Sequence, residues 1–356
     1  MNIYEQQTKN RRMTWAIMLL FVAFFLLIGL GFDYFYLNFN PAKAPQYLWN
    51  DAGYYEAVVS SRSIPYGTII ALLLGSGMVL NSMFNGPGMV LRSTMARRAV
   101  PASEKERRYL NIVAEMSIAA GVSPPAAYII PDPDLNAFAT GISPSNSAIV
   151  VTEGLLSVLN REELQGVVAH EMSHIRNYDM RLMTITAALI GAICLISDFA
   201  GRSTRFRSSG SSDSSSGGRS SGRRNMGGGA ALIIYAVWFI FMILAPFLSR
   251  LLAMAISRQR EYLADASGAE LTRNPLALVA ALEKIRNALM PTRAINNGVA
   301  HMCITDPRGS LIEEKLGFVA DLLATHPPME KRILALKVMS YQAEMSGKPI
   351  TSGGLA

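Results

Sequence analysis

The residues best suited to chemistry are two histidines four positions apart, in the run His170-Glu171-Met172-Ser173-His174. Histidines at this spacing share one face of a helix, so both imidazoles can bind one zinc ion. Glu171 lies about 100° around the helix from His170, where it reaches a water on the metal rather than the metal itself. Such a glutamate takes a proton from that water and returns it to the leaving amine of a cleaved peptide. The spacing predicts zinc-dependent peptide hydrolysis with Glu171 as general base.

The plain alternative is a surface helix that carries these letters by chance, since short motifs produce false matches. The local context argues against it. Apolar residues precede the motif at Leu164, Val167 and Val168, and Asn160 with Glu163 has the spacing of a helix cap. The motif therefore belongs to a predicted helix with a buried side.

A catalytic zinc needs a third protein ligand. Asn177 and Met180 stand where metzincins have glycine and histidine, which excludes that class. The next glutamate along the chain is Glu261. Asp179 and Asp198 are rival ligands, but Asp198 lies deep in an apolar stretch and Asp179 suits a helix end or a support behind a ligand. Glu261 is the predicted third ligand.

Glu261 has an acidic neighbour, Asp265, on the same helix face four residues later. In that position Asp265 can accept the free N–H of a metal-binding histidine. The alternative for this pair is a solvated acidic face of an amphipathic helix. Because the histidine motif already predicts a metal site, we favour the first interpretation. We expect Glu261 to bind the metal and Asp265 to accept a hydrogen bond from a metal-binding histidine.

The composition indicates that these residues are positioned by a membrane protein. Half of the residues are hydrophobic, 17% are charged and the mean hydropathy is +0.24. The two cysteines, Cys194 and Cys303, form no CxxC pair, which argues against a disulfide framework or a cysteine-ligated zinc. Four apolar stretches are long enough to span a bilayer: about 13–30, 65–84, 182–199 and 230–248. The first follows basic residues and has no convincing cleavage site, so it is interpreted as an uncleaved anchor.

Charged loops predict the orientation of the spans. The basic N-terminal tail and the basic segment after the second span place both on the cytoplasmic side. The loop 201–229 is basic too, although four full crossings would put it outside. A shallow re-entrant hairpin is the alternative for spans three and four. Because this loop is almost entirely Ser, Gly and Arg, we interpret it as a disordered linker and expect no nucleic-acid partner.

Between spans two and three lies a segment with a soluble pattern. Ser103 and Gly121 mark the start and end of a helix, and short strands are expected at 126–130, 136–139 and 147–152. The motif helix is expected to run straight into the third span. The fourth span then returns the chain to the same side, where Glu261 can reach the histidines.

The expected fold is a mainly α membrane protein with about four transmembrane helices and a zincin-like catalytic domain that contains a small β-sheet. The catalytic domain is assembled from two separated segments. The predicted divisions are a two-span anchor at 1–91, a first catalytic part at 92–181, a transmembrane hairpin at 182–249 and a second catalytic part at 250–356.

Three runs resemble the HtpX-type heat-shock membrane metalloproteases, which are related to the CAAX prenyl endopeptidases. They are the histidine motif at 170–174, the run 257–265 and the run 325–328. The resemblance implies a gluzincin-type site with one Zn²⁺ per chain, held by His170, His174 and Glu261 and supported by Asp265. It also implies a multi-pass protein of a bacterial inner membrane with its catalytic domain facing the cytoplasm.

The resemblance suggests two further site residues. The run 136–139 matches the family's edge strand beside the cleft, where Asn136 would contact an extended substrate. Its alternative is an ordinary core or turn strand. His326 matches the family's C-terminal histidine, a candidate for stabilising the oxyanion. Its alternative is a helix start followed by proline. His301 also lies in a family-like run and is interpreted as structural.

The favoured function is endoproteolytic cleavage of misfolded or damaged membrane proteins in stress-related quality control. Its partners would be polypeptide substrates and the lipid bilayer. Two alternatives stay open: a maturation protease for one specific site, and a non-catalytic membrane adaptor or holdase that keeps the zinc fold for stability. An intact Glu171 argues against the adaptor, because a structural zinc needs no general base.

Overall fold

The computed structural model describes residues 3–36, 46–49, 55–58, 64–208, 258–288, 294–295, 298–305 and 327–346. The fold is mainly helical. The helices are α1 (Ile3–Tyr36), α2 (Tyr66–Ser93), α3 (Glu104–Ala120), α4 (Glu153–Val158), α5 (Arg161–Arg176), α6 (Asp179–Ser208), α7 (Arg258–Thr272), α8 (Pro275–Asn287) and α9 (Met329–Ser346). The strands are β1 (Gln46–Trp49), β2 (Tyr55–Val58), β3 (Arg97–Arg98), β4 (Ala126–Ile130), β5 (Ala137–Ser143) and β6 (Asn146–Thr152). The mainly α class with a small sheet is confirmed.

The chain forms two compact units. One comprises residues 1–17, 81–194 and 248–356, and the other comprises 18–80 and 195–247. The second unit contains the apolar part of α1, the start of α2 and an antiparallel β1–β2 pair. In it Asp33 of α1 is fully buried and accepts hydrogen bonds from the backbone N–H groups of Gly67 (2.8 Å) and Thr68 (2.7 Å). The carboxylate thereby satisfies donors at the start of α2, as helix caps do.

Two helices in the described part of the chain are long and apolar enough to cross a membrane, at Glu5–Tyr34 and Tyr66–Ser93. They contain the first and second predicted spans. The third predicted span lies within α6, whose side chains are described only as far as residue 193. The fourth span and residues 209–229 of the Gly/Ser/Arg loop lie outside the described residues.

The other unit contains a four-stranded sheet in the order β3-β4-β6-β5. Strand β6 pairs in parallel with β4 and antiparallel with β5, which leaves β5 at one edge. The predicted strand at 126–130 is confirmed. Strand β5 runs past the predicted end at residue 139, through Gly141 at φ 153° and a register shift, to Ser143. Glycine is a poor strand former, so this extension was not visible in the sequence pattern.

Local capping explains where two helices begin. Ser103 caps α3 by accepting from the backbone N–H of Glu106, and Gly121 ends it in the left-handed conformation (φ 65°). Asn160 and Glu163 form a complete capping box at the start of α5. Both starts agree with the sequence prediction, because the cap and its partner are close neighbours in the chain.

The prediction that the motif helix runs straight into the third span is wrong, because a turn separates α5 from α6. Helix α5 ends at Arg176, and α6 begins at Asp179. Tyr178 between them has a left-handed backbone (φ 61°), which a continuous helix cannot contain. The turn directs the Asp179 side chain back toward the last turn of α5.

Helices α7 and α8 pack closely on α5 at two glycines. A Cβ on Gly268 of α7 would lie 3.0 Å from the backbone nitrogen of His170. A Cβ on Gly166 of α5 would lie 3.1 Å from the Cα of Leu278 in α8. The absence of side chains at these positions lets α7, the helix of Glu261, approach the histidine helix at backbone distance.

Candidate metal centre

The two motif histidines lie one turn apart on α5, and both are buried, with at most 3% of their surface exposed. Their ring centroids are 4.9 Å apart and the rings are nearly perpendicular, at 87°. This is the arrangement that the four-residue spacing predicted, with both rings on one side of the helix.

Glu261 of α7 completes a three-residue group. Its Oε2 lies 3.6 Å from His170 Nε2, and its Oε1 lies 3.7 Å from His174 Nε2. The three ligand atoms all lie within 4.8 Å of one another. Two ligands about 2.1 Å from a tetrahedral metal are roughly 3.4 Å apart, so the contacts fit a metal ion with little rearrangement. The structure thus brings together the three residues that the sequence predicted as ligands.

Each histidine has a carboxylate behind its other ring nitrogen. Asp265 Oδ1 lies 2.9 Å from His170 Nδ1, and Asp179 Oδ2 lies 3.2 Å from His174 Nδ1. A carboxylate at Nδ1 favours the tautomer with a proton there and leaves Nε2 as the free ligand atom. The donor set therefore fits a metal on the Nε2 side of both rings. Asp265 lies where the sequence predicted, and Asp179 lies behind His174 and outside the group of three potential ligands.

Glu171 lies between the histidines in sequence and is 1% exposed. Its Oε2 is buried and has no hydrogen-bond partner among the described residues. Burial raises the pKa of Glu171 above its ordinary value, although the nearby histidines pull it down. A buried carboxylate oxygen that lacks a partner beside a metal-binding group is suited to hold a water molecule.

Arg332 of α9 is a site residue that sequence reasoning missed. It is fully buried and donates to both Asp265 oxygens, from Nε to Oδ2 (2.8 Å) and from Nη2 to Oδ1 (2.7 Å). It also donates to the backbone carbonyl of Ile304 (2.8 Å) and lies 3.6 Å from Glu261 Oε2. Burial opposes ionisation, but Arg332 holds the pKa of Asp265 below its usual range. In the sequence Arg332 follows Glu330 and Lys331, and nothing in this charged run marks it as buried.

The site is rich in negative charge. Burial alone would lower the pKa of His174, but the hydrogen bond to Asp179 and the charge of Glu261 raise it to about 9. Without a metal, His174 therefore carries a proton at neutral pH. A bound metal would require the neutral imidazole, so a dication held by His170, His174 and Glu261 would replace this proton as the counter-charge to the surrounding carboxylates.

Asn136 lies just before β5 and is fully buried. Its Oδ1 accepts from the backbone N–H of Ala137 (3.1 Å), and its Nδ2 donates to the backbone carbonyl of Thr305 (3.3 Å). The side chain thus holds the segment at 300–305 against the sheet, and substrate contact by Asn136 stays a prediction. His301 is buried with Nε2 3.2 Å from the Met183 carbonyl, in keeping with a structural role. His326 lies outside the described residues.

The backbone of β5 offers an edge beside α5. Only every second residue of β5 forms backbone hydrogen bonds with β6. The backbone N–H and C=O groups of Ala137, Ala139 and Gly141 therefore point away from β6. The Ala137 carbonyl accepts from the N–H of Ile304 (2.9 Å), and the N–H of Gly141 donates to Thr184 Oγ1 (3.0 Å). Ala139 lies between these two occupied positions. The stretch of this edge between the two contacts is therefore short and centred on Ala139, which is itself fully buried.

Comparison with known proteins agrees with this geometry. The model of peptidase family M48 matches residues 103–340, about two thirds of the chain. A protein named Protease HtpX homolog from Streptococcus mutans is 41% identical over 335 residues, which cover 94% of this chain and 99% of that protein. A protein of the same name from Streptococcus pyogenes is 39% identical over 338 residues, 95% of this chain and all of that protein.

A crystal structure of S. mikatae Ste24p aligns with 77% of this chain and 59% of its own length, at 17% identity and a TM-score of 0.41. The match to the family model and the similarity to the two Streptococcus proteins show which family the chain belongs to. The chain belongs to peptidase family M48 and is a metalloprotease of the HtpX type.

Proposed function

We propose that this protein is a zinc-dependent endopeptidase of a bacterial inner membrane that cleaves misfolded or damaged membrane proteins from the cytoplasmic side. The observation that carries the proposal is the buried group of His170, His174 and Glu261 with Glu171 beside it. Membership of the family indicates the class of reaction, and the residues of the site indicate how it would be catalysed.

Zinc is the metal that this donor set suits best. Two imidazoles and one carboxylate are the ligands of catalytic zinc sites, which keep one position open for water or substrate. When bound there, zinc would act as a Lewis acid that polarises a water molecule and the carbonyl of the scissile peptide bond. We infer one Zn²⁺ per chain.

Glu171 is the proposed proton carrier. Its Oε2 is buried without a partner in the described structure, so it is available to accept a proton from the attacking water. The carboxylic acid then returns that proton to the nitrogen of the leaving amine. Burial raises the pKa of Glu171, and a raised pKa suits a group that gains and loses a proton in one cycle near neutral pH.

Substrate binding is proposed at the β5 edge. An extended peptide would add to this strand through main-chain hydrogen bonds at Ala139, which requires that the buried Ala139 backbone become exposed but requires no particular side chain of the substrate. Such binding tolerates many sequences, as the removal of damaged proteins requires. In this proposal Asn136 shapes the end of the edge, and His326 stabilises the charge on the carbonyl oxygen in the transition state.

The membrane location is supported by two apolar helices in the described residues. Residues 3–17 of α1 belong to the same compact unit as the metal centre. The site is therefore tied directly to the start of a membrane helix, which suits substrates presented near the bilayer surface. Full crossing by the third and fourth apolar stretches is part of the proposal.

The test compares wild type, Glu171→Gln and Glu162→Gln as full-length proteins in detergent. Glu162 is an exposed residue on the first turn of the same helix, so it is a matched control. With one zinc bound in every sample, Glu171→Gln should cleave casein at least about 10²-fold more slowly than wild type, while Glu162→Gln should be unchanged.

Equal cleavage by Glu171→Gln and Glu162→Gln would show that Glu171 is not the general base. The quality-control role needs a second comparison, between a folded membrane protein and a destabilised variant of it. Faster cleavage of the destabilised variant supports the role. Equal rates on both, or cleavage of one site only in either, would favour a maturation protease.

A further inference from the structure

The start of α1 has a polar face that is buried. Gln6, Asn10 and Thr14 are spaced by four residues and are 4%, 2% and 1% exposed. Residues at this spacing lie on one side of a helix. Burying amide side chains costs free energy unless they find hydrogen-bond partners. Gln6 Oε1 has no partner among the described residues, and Thr14 donates to the backbone carbonyl of Asn10 in its own helix, so Asn10 is the residue of this face that bonds outside α1.

The docking partner is the turn between α5 and α6. The Asn10 side-chain amide donates to the backbone carbonyl of Asn177 (3.0 Å) and to Asp179 Oδ1 (2.5 Å). Gln7 donates to the backbone carbonyl of Arg176 (2.9 Å). Three carbonyl or carboxylate acceptors at the end of the histidine helix are thus satisfied by α1.

Asn10 connects in this way to a predicted metal ligand. Asp179 receives Asn10 on Oδ1, and its other oxygen, Oδ2, lies 3.2 Å from His174 Nδ1. The hydrogen bond from Asn10 to Oδ1 restricts rotation of the Asp179 carboxylate about its Cβ–Cγ bond. It therefore restricts the position of Oδ2 as well. The orientation of the His174 ring then depends on a residue 164 positions earlier in the chain.

The left-handed turn residue is also engaged by α1. The guanidinium of Arg11 lies 4.6 Å from the centre of the Tyr178 ring, within the range of a cation–π contact. Tyr178 has φ 61°, a conformation that costs free energy for a tyrosine and persists when its surroundings favour it. Helix α1 therefore stabilises the same turn that places Asp179 behind His174.

We propose that Asn10 is a positioning residue of the metal centre, which holds Asp179 so that Asp179 orients His174 for metal binding. The inference rests on the proposed zinc site and adds a role for the N-terminal segment beyond membrane anchoring. Asn10 does not touch the substrate or the metal. Its removal is expected to free the Asp179 carboxylate and weaken zinc binding.

The test measures zinc affinity by chelator competition on the full-length protein in detergent. Mutation of a residue that hydrogen-bonds to a metal-binding histidine typically lowers metal affinity 10- to 100-fold. Asn10→Ala should therefore weaken zinc binding about tenfold. In an Asp179→Ala background the same change should matter by less than about twofold, because the residue through which Asn10 acts is gone.

Two controls separate positioning from simple packing. Gln7→Ala removes a hydrogen bond to the same turn without touching Asp179, and Asn85→Ala removes an exposed amide that contacts Asn81 on α2. Gln7→Ala should lower the melting temperature of the metal-free protein about as much as Asn10→Ala and leave zinc affinity within about twofold. Asn85→Ala should change neither quantity.

Asn10→Asp is the second variant, since it keeps the size of the side chain and replaces the donor by an acceptor next to Asp179. It should weaken zinc binding at least as much as Asn10→Ala at pH 7. In the cobalt-substituted protein, both variants should shift the visible absorption bands, which report ligand geometry.

Wild-type zinc affinity in Asn10→Ala or Asn10→Asp would overturn the inference and leave the zinc site standing. Equal losses in Asn10→Ala and Gln7→Ala would also overturn it, because docking of α1 as a whole would then be the cause. Failure of the wild type to bind zinc would overturn the proposed function and this inference together.

Discussion

Replacing Arg332 with alanine should destabilise the catalytic unit strongly, because Arg332 is the cation that holds two helices of the site together. It is fully buried and forms a two-point contact with Asp265, at 2.8 Å and 2.7 Å. It also binds the Ile304 carbonyl and lies near Glu261. Alanine would leave Asp265 buried with no guanidinium to balance its charge.

The expected magnitude follows from that geometry. Removing one partner of a buried, hydrogen-bonded ion pair costs about 3–5 kcal/mol, since the other charge stays buried. For a unit of about 240 residues, each kcal/mol lowers the melting temperature by about 2–4 °C. The metal-free variant should therefore melt roughly 6–20 °C below wild type. The melting temperature of Arg332→Lys should lie between those of Arg332→Ala and wild type, because lysine keeps the positive charge but cannot donate two parallel hydrogen bonds to a carboxylate.

The assay is thermal melting of full-length protein in detergent after metal removal. Lys337→Ala is the matched control on the same helix: its partner is Glu283 at 2.8 Å, and the two side chains are 51% and 39% exposed. An exposed pair of this kind contributes at most about 1 kcal/mol. If Arg332→Ala melts within about 2 °C of Lys337→Ala, the bracing role assigned to Arg332 is wrong.

Two further predictions concern the approach of α7 to the histidine helix and the proton on His174. Gly268→Ala should lower zinc affinity and cost about 1–3 kcal/mol, despite the better helix propensity of alanine, because its Cβ would meet the His170 backbone nitrogen at 3.0 Å. Gly191→Ala, whose added Cβ has no atom of the described residues within 4 Å, should be neutral, and equal melting and zinc affinity for the two variants would refute the close-packing argument. Because the pKa of His174 is raised from 6.5 to about 9, metal-free protein should lose stability as pH rises through about 9. Zinc affinity should increase with pH up to that value, by about tenfold per unit, and a chelator-competition series that is flat between pH 7 and 8.5 would contradict the raised pKa.

The parts of the fold that depend on neighbours in the chain could be predicted from the sequence. Helices α3 and α5 begin at Ser103 and Asn160, where a cap and its partner are three residues apart. The ligand group was accessible for a similar reason. Metal chemistry demands a third ligand after the two histidines, and the sequence offered Glu261 as the next glutamate.

The parts that depend on distant contacts were missed. The break between α5 and α6 was not visible, because the left-handed Tyr178 is stabilised by Arg11 of α1. Arg332 was not singled out, since its partner Asp265 lies 67 residues earlier. Asn10 is buried, and its side-chain amide donates to residues 167 and 169 positions away. Neither spacing nor composition signals such long-range pairs.

The central claim is that two segments of the chain, one carrying His170 and His174 and the other carrying Glu261, bind a single catalytic zinc. The most direct measurement is the zinc content per chain, taken together with casein cleavage, in wild type, Glu261→Ala and Glu270→Ala. Glu270 lies on the same helix as Glu261 and outside the ligand group. We expect about one zinc per chain and cleavage in wild type and Glu270→Ala, and loss of both in Glu261→Ala. Full zinc content and wild-type cleavage in Glu261→Ala would contradict the account.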